Sequence, residues 1–487
     1  MLPSRKPKSN YFVPAYTIGL LTLVFTIAGC SSSGPITMDL MNSPGIYSEV
    51  GIDPFDDNAR IGERTELTVL YATNRAPVEE GSKSKERFYD NNRGSYLYLG
   101  EAKVKVGDDK TTWSDLKEYS LLKNSTKRFP LQVKEVHEFG ILPTSYSRLE
   151  KRLSPEDDER PGKEFAAAIN AQLKDSKLKD VVIYIHGFKV NFDNPIIVTS
   201  ELSHFHGNQG AFIAFAWPST PKKNIAYFKD VETANHSARQ LRLLIEYLHA
   251  NTDAEHINII AYSMGTRIAI KTLHDLRLKY DYIEGEALRD ASRIGQVFLV
   301  GSDFDRDIFG DYFEDGITDL QDQMNIYMSE KDSALGMARF VFGYNRLGQT
   351  ASMNLDGNAV RYLEKQKDLV LIDVTSAEGA TKGNGHAYFR QSPWVSSDII
   401  ITMYFKATPE KRKLIQNEQG IWSFRPEYIQ DIKDAKEEYG VLLSVLRTRP
   451  MLRFSIVFRS HGISLSLLVH SRCSIQPITQ RKIKLPF

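Results

Sequence analysis

The chain has 487 residues, 41% of them hydrophobic and 25% charged, with a net charge of +1 and two cysteines. That length holds one large α/β domain or two smaller ones with ample core. The near-neutral charge argues against a nucleic-acid partner, and Cys30 and Cys473 alone exclude a disulfide framework or a thiolate metal site.

The charge is unevenly spread. Residues 439–487 hold no Asp or Glu and eight Lys or Arg, leaving residues 1–438 with 54 basic against 61 acidic groups, a net of −7. At the other end, residues 1–29 read as a secretory signal: Arg5, Lys6 and Lys8 open it, and a mostly apolar run from Tyr11 to Phe25 follows. Its close, Ile27-Ala28-Gly29-Cys30, resembles a bacterial lipobox, whose cysteine is lipidated and becomes the first residue of the mature chain. The competing reading is an uncleaved anchor, because Tyr11 to Gly29 is just long enough to span a bilayer. Small residues before Cys30 and Ser31-Ser32-Ser33-Gly34 after it favour lipidation, and more than one acyl chain makes such an anchor durable. By resemblance to sorted lipoproteins, serines rather than acids after Cys30 point to the outer membrane, facing the periplasm. Residues 30–64, rich in Ser, Gly, Pro and Asp, are expected to form a flexible tether.

A hydrolase-like body is expected over residues 65–400, with a C-terminal extension over 401–438. Strands are predicted from Leu67, ending in Ala72-Thr73-Asn74-Arg75, and at Tyr96–Val106 and Leu131–Val136. Lys163–Leu173 is expected to be a short amphipathic helix starting after Pro161-Gly162. Strands then alternate with helices: Val181–Ile185, Ala211–Ala216, a helix from about Ile225 to Leu248, His256–Tyr262, Gln296–Gly301, Met324–Met328 and Leu369–Val374. This alternation predicts an α/β fold with a mostly parallel, doubly wound sheet and helices on both faces, its ligand site at the carboxyl ends of the strands.

At the end of the His256 strand stands Ala261-Tyr262-Ser263-Met264-Gly265, a small-x-Ser-x-Gly string followed by a predicted helix from Thr266. A serine between strand and helix, with small residues two positions either side, is the pattern of a nucleophile elbow. Ser263 then needs a base held by an acid, in the order Ser, Asp or Glu, His. Four histidines follow it. His274 lies in the helix behind the elbow, and His461 and His470 lie in the anomalous tail, which leaves His386 in the loop after the last strand. Asp332, four residues beyond the Met324 strand, is the expected acid, with Asp303 after the preceding strand as the alternative. The N–H groups of Phe188 and Met264 are candidates for the oxyanion hole, Trp217 and Tyr262 for the substrate pocket, and His186 for bracing its own loop. Asp303-Phe304-Asp305-Arg306-Asp307 echoes a calcium loop, but Ile308 stands where such a loop requires glycine, so no metal or other cofactor is expected. The 303–322 connection is too short for a large helical cap.

Taken together, Val69–Arg75, Ile185–Phe188, Phe215–Ser219, Ala261–Gly265 and Tyr327–Asp332 resemble an uncharacterised bacterial family of α/β-hydrolases of the esterase/lipase type, over about residues 40–430. The resemblance implies the same assignment of Ser263, Asp332 and His386, and no substrate. The expected function is a membrane-anchored serine hydrolase that cleaves carboxylic esters of small molecules or lipids through an acyl-enzyme. A non-catalytic cell-envelope binding protein on the same scaffold is the alternative. The basic tail, 439–487, lies outside the resemblance and is expected to be unstructured or a non-native extension; oligomeric state has no signature in the sequence.

Overall fold

The computed structural model describes residues 36–55, 65–82, 84–123, 127–146, 155–221, 226–349, 366, 368–437, 439, 452–459 and 462–469. The signal segment, Cys30 and residues 56–64 of the expected tether lie outside the described residues.

The central strands form because their side chains are apolar on both faces. In β5 (Asp180–Ile185), Val181, Ile183 and Ile185 enter one core, while Val182 and Tyr184 enter the other. The same alternation runs through β6 (Ala211–Phe215), β7 (His256–Tyr262), β8 (Ile294–Val300), β9 (Gln321–Met328) and β10 (Leu369–Asp373). A sheet apolar on both sides has to be covered on both sides. These strands are parallel throughout, in the order β6-β5-β7-β8-β9-β10.

Four N-terminal strands extend one edge. β1 (Thr37–Asp39), β4 (Pro130–Ile141), β3 (Tyr89–Val106) and β2 (Glu66–Pro77) pair antiparallel in that order, and β2 joins β6 in parallel. At the far edge β12 (Trp422–Ser423) lies parallel to β10 and antiparallel to β11 (Ile415–Gln416), completing a twelve-stranded sheet.

In chain order the helices are α1 (Gly45–Ser48), α2 (Trp113–Leu121), α3 (Pro155–Asp175), α4 (Asp193–Phe205), α5 (Tyr227–Asn251) and α6 (Gly265–Lys279). They continue with α7 (Gly285–Ser292), α8 (Arg306–Glu314), α9 (Ser333–Phe342), α10 (Tyr388–Gln391), α11 (Pro393–Phe405) and α12 (Tyr428–Asp434). α3, α5, α6 and α7 cover one face of the sheet, and α4 and α11 the other. The 3.6-residue stripe reveals α3 and α5, whereas α4 is buried along nearly its whole length and its Pro195–Val198 run carries no polar face to mark it.

Three expectations are corrected. Residues 36–55 are not a free tether: β1 pairs with β4, and Leu40, Met41, Ile46, Tyr47 and Val50 are core residues. The turn-forming composition misled because the apolar residues between the prolines and glycines have a groove to fill. Pro161 does not stop a helix but lies inside α3, two turns from its start, where a ring against Gly140 replaces the lost N–H bond with packing. The tail is neither wholly unstructured nor cut off at residue 439. Tyr439 is buried and donates its hydroxyl to the Lys411 carbonyl at 2.6 Å. Beyond it, β13 (Leu452–Arg459) and β14 (Gly462–Val469) form an antiparallel hairpin that pairs with no other described strand. β13 carries Phe454, Ile456, Val457 and Phe458, β-branched and aromatic residues that suit extended backbone, and β14 alternates Ile463, Leu465 and Leu467 with Ser464 and Ser466.

Candidate active site

Ser263 stands between β7 and α6 with φ of 53°, a left-handed conformation uncommon for a residue with a Cβ. The turn is held by Ser263 N–H donating to the Val300 carbonyl at 2.9 Å and by Thr266 N–H and Oγ1–H donating to the Ser263 carbonyl at 3.0 and 2.6 Å. The small positions have specific neighbours. A Cβ on Gly265 would lie 2.5 Å from the Ile185 and His186 carbonyl oxygens, and one on Gly187 would lie 2.9 Å from Ser263 Cβ. The loop after β5 therefore crosses directly over the serine, which is where a hydrolase needs an oxyanion donor.

His386 joins the serine to an acid. Its Nε2 is 2.8 Å from Ser263 Oγ, and its Nδ1 is 2.6 Å from Asp332 Oδ2. With Nδ1–H donating to the carboxylate, Nε2 has its lone pair free to accept the serine proton. Asp332 is fixed on its other side: as the N-cap of α9, its Oδ1 accepts the Leu335 N–H at 3.0 Å. The two loops that carry acid and base are tied together, since Ser333 donates both its N–H (3.1 Å) and its hydroxyl (3.0 Å) to the Asn384 carbonyl. Asp332 is buried and His386 nearly so.

The alternative acid belongs to a different assembly. Asp303, also buried, accepts hydrogen bonds from the Tyr227 hydroxyl and from Arg267 Nε, the latter at 3.1 Å. It lies on the α5–α6 side and braces the end of β8 against the helix behind the nucleophile. Burial next to that carboxylate drives the Tyr227 phenol pKa far up, so it stays a hydrogen-bond donor. The calcium-loop echo dissolves in the same way: Asp305 caps α8 by accepting from the Asp307 and Ile308 amides. Among the described residues, no three His, Cys, Asp or Glu side chains are grouped to hold a metal ion.

His186 braces its loop as expected. Its ring stacks on Trp217 at 5.1 Å and 8°, and its nitrogens lie 2.8 Å from the Gly187 carbonyl and 3.0 Å from the Trp217 carbonyl. Burial, reinforced by the Arg75 charge, holds its pKa well below that of a free imidazole, so it is neutral. Trp217 closes the loop by donating Nε1–H to the His186 carbonyl at 2.7 Å, and it has no exposed surface. The pocket-wall expectation for Trp217 is thus corrected: the indole needs a partner for its N–H, and that partner lies inside the loop. Tyr262, half-buried, packs its ring 5.0 Å from both His386 and Phe389, beside the site. Phe188 is partly exposed and meets Tyr227 edge-on at 5.3 Å; Met264 is buried at the start of α6, its N–H in the first turn behind the serine. Tyr227 and Arg267 escaped sequence reading because their partner is 76 and 36 residues away; only the position of Arg267, one helical turn after Ser263, hinted at it.

A parallel, doubly wound sheet with a strained serine at a strand–helix turn and a histidine–carboxylate pair at the strand ends defines an α/β-hydrolase. Residues 162–403, from α3 into α11, match the family described as an alpha/beta hydrolase of unknown function (DUF900). No curated protein matches. Among solved structures the chain is similar to a lipase-esterase related protein from Clostridium acetobutylicum, at 12% identity and a TM-score of 0.18, covering 32% of this chain and 76% of that one. It is also similar to an inhibited esterase B from Lactobacillus rhamnosis, at 13% identity and a TM-score of 0.24, covering 56% of this chain and 79% of that one. Likeness at that level says nothing of substrate or mechanism.

Proposed function

We propose that this chain is a serine hydrolase that cleaves carboxylic esters through an acyl-enzyme, anchored by a lipidated Cys30 to the cell envelope, facing the periplasm from the outer membrane. The observation that carries the enzymatic reading is the unbroken hydrogen-bonded series from Asp332 through His386 to Ser263.

In the first half-reaction, Ser263 Oγ attacks the ester carbonyl carbon while His386 Nε2 takes its proton. Asp332 stays ionised and stabilises the imidazolium through Nδ1–H. The negative charge passing to the carbonyl oxygen is met by the N–H groups of Phe188 and Met264, aided by the N-terminus of α6. The C–O bond to the alcohol breaks as His386 returns the proton to the departing oxygen. Water, deprotonated by His386, then cleaves the acyl-serine by the same route in reverse.

The reading is tested with a fluorophosphonate probe. Labelling of the folded wild type and its loss in Ser263→Ala are expected; a folded wild type that is never labelled would rule out an activated serine. The anchor is tested separately, since Cys30→Ala should abolish lipid modification and leave the precursor unprocessed.

A further inference from the structure

α9 begins at the carboxylate that holds His386, and apart from Ser333 and the exposed Arg339 its side chains are apolar. Leu335 and Ala338 are buried beneath it, whereas Met337, Phe340 and Val341 point outward with 40, 85 and 50% of their surface exposed. Tyr344, just past its end, is 61% exposed. The surface continues onto α8, because Arg306 N–H donates to the Asn345 carbonyl at 3.2 Å and Ile308, in the first turn of that helix, is 46% exposed. Residues 333–349 contain no Asp or Glu. An exposed apolar patch of this kind marks an interaction surface.

Residues 36–42 indicate the cover. Ile36 gives a backbone hydrogen bond to Asp193, the first residue of α4, directly after the loop that carries Phe188. Asp39 and Asn42 reach α10, just after His386: the Asp39 carbonyl accepts from Arg390 at 3.1 Å, and Asn42 donates to the Gln391 carbonyl at 3.1 Å. Ile36 therefore lies beside the start of α4, past the carboxyl end of β5, while β1 itself pairs with the first residues of β4; α9 likewise starts past the carboxyl end of a core strand, β9. Cys30 is six residues before Ile36, a reach of about 20 Å at most for an extended chain. We propose that the face made by Met337, Phe340, Val341, Tyr344 and Ile308 docks on the lipid bilayer that holds Cys30, setting the mouth of the site at the membrane so that esters of membrane lipids enter it. The proposal rests on the lipid-anchor reading. Since the α9 segment bears no acidic group, a zwitterionic bilayer suffices, with the aromatic and aliphatic side chains entering the headgroup–acyl boundary.

The test places tryptophan at two sites in the full-length lipidated protein bound to phosphatidylcholine vesicles with brominated acyl chains. Phe340→Trp should lose at least half its added fluorescence to the bromines. Tyr282→Trp, exposed beyond the far end of α6, should lose almost none. A paired Val341→Asp, Phe340→Asp variant should hydrolyse vesicle-borne esters at least tenfold more slowly while keeping its rate on a short soluble ester. Equal quenching at the two sites, or none at residue 340 while flotation with vesicles still depends on Cys30, overturns docking and leaves the anchor standing. Flotation that does not depend on Cys30 fails the anchor reading instead. Burial of the indole of the Phe340→Trp variant in a lipid-free dimer, seen by light scattering and a blue-shifted emission, assigns the face to a second copy and also overturns the proposal.

Discussion

Arg390 grips Glu201 with two parallel hydrogen bonds, Nε to Oε2 and Nη2 to Oε1, both 2.8 Å long. Glu201 is fully buried in α4, and its Oε1 also accepts the Met41 N–H at 2.9 Å. One carboxylate thus joins the segment after His386 to the segment around Met41. Removing half of a buried ion pair strands the other half. Glu201→Gln should lower unfolding free energy by about 3–5 kcal/mol. Urea titration decides the matter: a change below about 1 kcal/mol would mean that the N-terminal segment is held by packing alone.

The roles of the two carboxylates separate in kinetics. Ser263→Ala and His386→Ala should each reduce kcat/KM for a carboxylic ester by several orders of magnitude with little change in melting temperature. Asp332→Asn should reduce kcat by about 10⁴-fold, the scale expected when the imidazole loses its orienting acid. Asp303→Asn should instead lower stability, by leaving Arg267 without its carboxylate, and keep most of kcat. The reverse ranking of the two Asn variants would make Asp303 the acid.

Two glycines should fail in different ways. The methyl group of Gly187→Ala would press on Ser263 Cβ at 2.9 Å, so the nucleophile has to move, and a loss of about 10–100-fold in kcat with modest destabilisation is expected. In Gly265→Ala the methyl meets two backbone oxygens at 2.5 Å, which cannot yield, so the fold itself should lose stability. Paired melting and rate measurements distinguish the two; equal effects on both quantities would contradict the assignment.

Acid should unfold the protein through histidines that are not catalytic. Burial lowers the pKa of His204 to about 3 and of His206 to about 4, and holds His186 well below the ordinary value of 6.5. A buried base with a depressed native pKa contributes stability that is complete above its unfolded pKa and lost as pH falls towards the native one. Three such groups give a slope of about 4 kcal/mol per pH unit below pH 6.5. Asp193 opposes them, because burial raises its pKa from 3.8 to about 6; its contribution is complete below 3.8 and lost as pH rises through 6, offsetting roughly one of the three. Urea midpoints at pH 8, 6.5 and 5 should hold between the first two values and drop at the third. A flat profile would show that these imidazoles accept protons in the native state.

The end of the hydrolase body is set by one side chain. Truncation after Tyr439 should leave melting temperature and ester hydrolysis unchanged. Truncation after Glu438 removes the buried ring that packs 5.4 Å from Phe405, and it should lower the melting temperature by several degrees. Identical melting for the two truncations would place the boundary earlier.

The parallel core was legible in the sequence because each of its strands is a short apolar run with a breaker at its end, a signal that needs no partner to be read. The elbow was legible for a related reason. The small residues around Ser263 answer a steric demand of the turn, and the order of serine, acid and base follows the order of strands. Elimination among four histidines reached His386 from the sequence alone. Position among the strands favoured Asp332 over Asp303, but what separated them was tertiary: both follow a strand, and only packing shows that Arg267 and Tyr227 occupy one while the imidazole meets the other. The same limit hid the folding of residues 36–55, whose loop-like composition becomes ordered only against α4 and β4, and the burial of Trp217, whose N–H finds its acceptor across the fold. Local sequence determines which backbone a segment prefers. Which polar group satisfies which is settled by long-range neighbours, and that pairing exists only once the chain has closed around it.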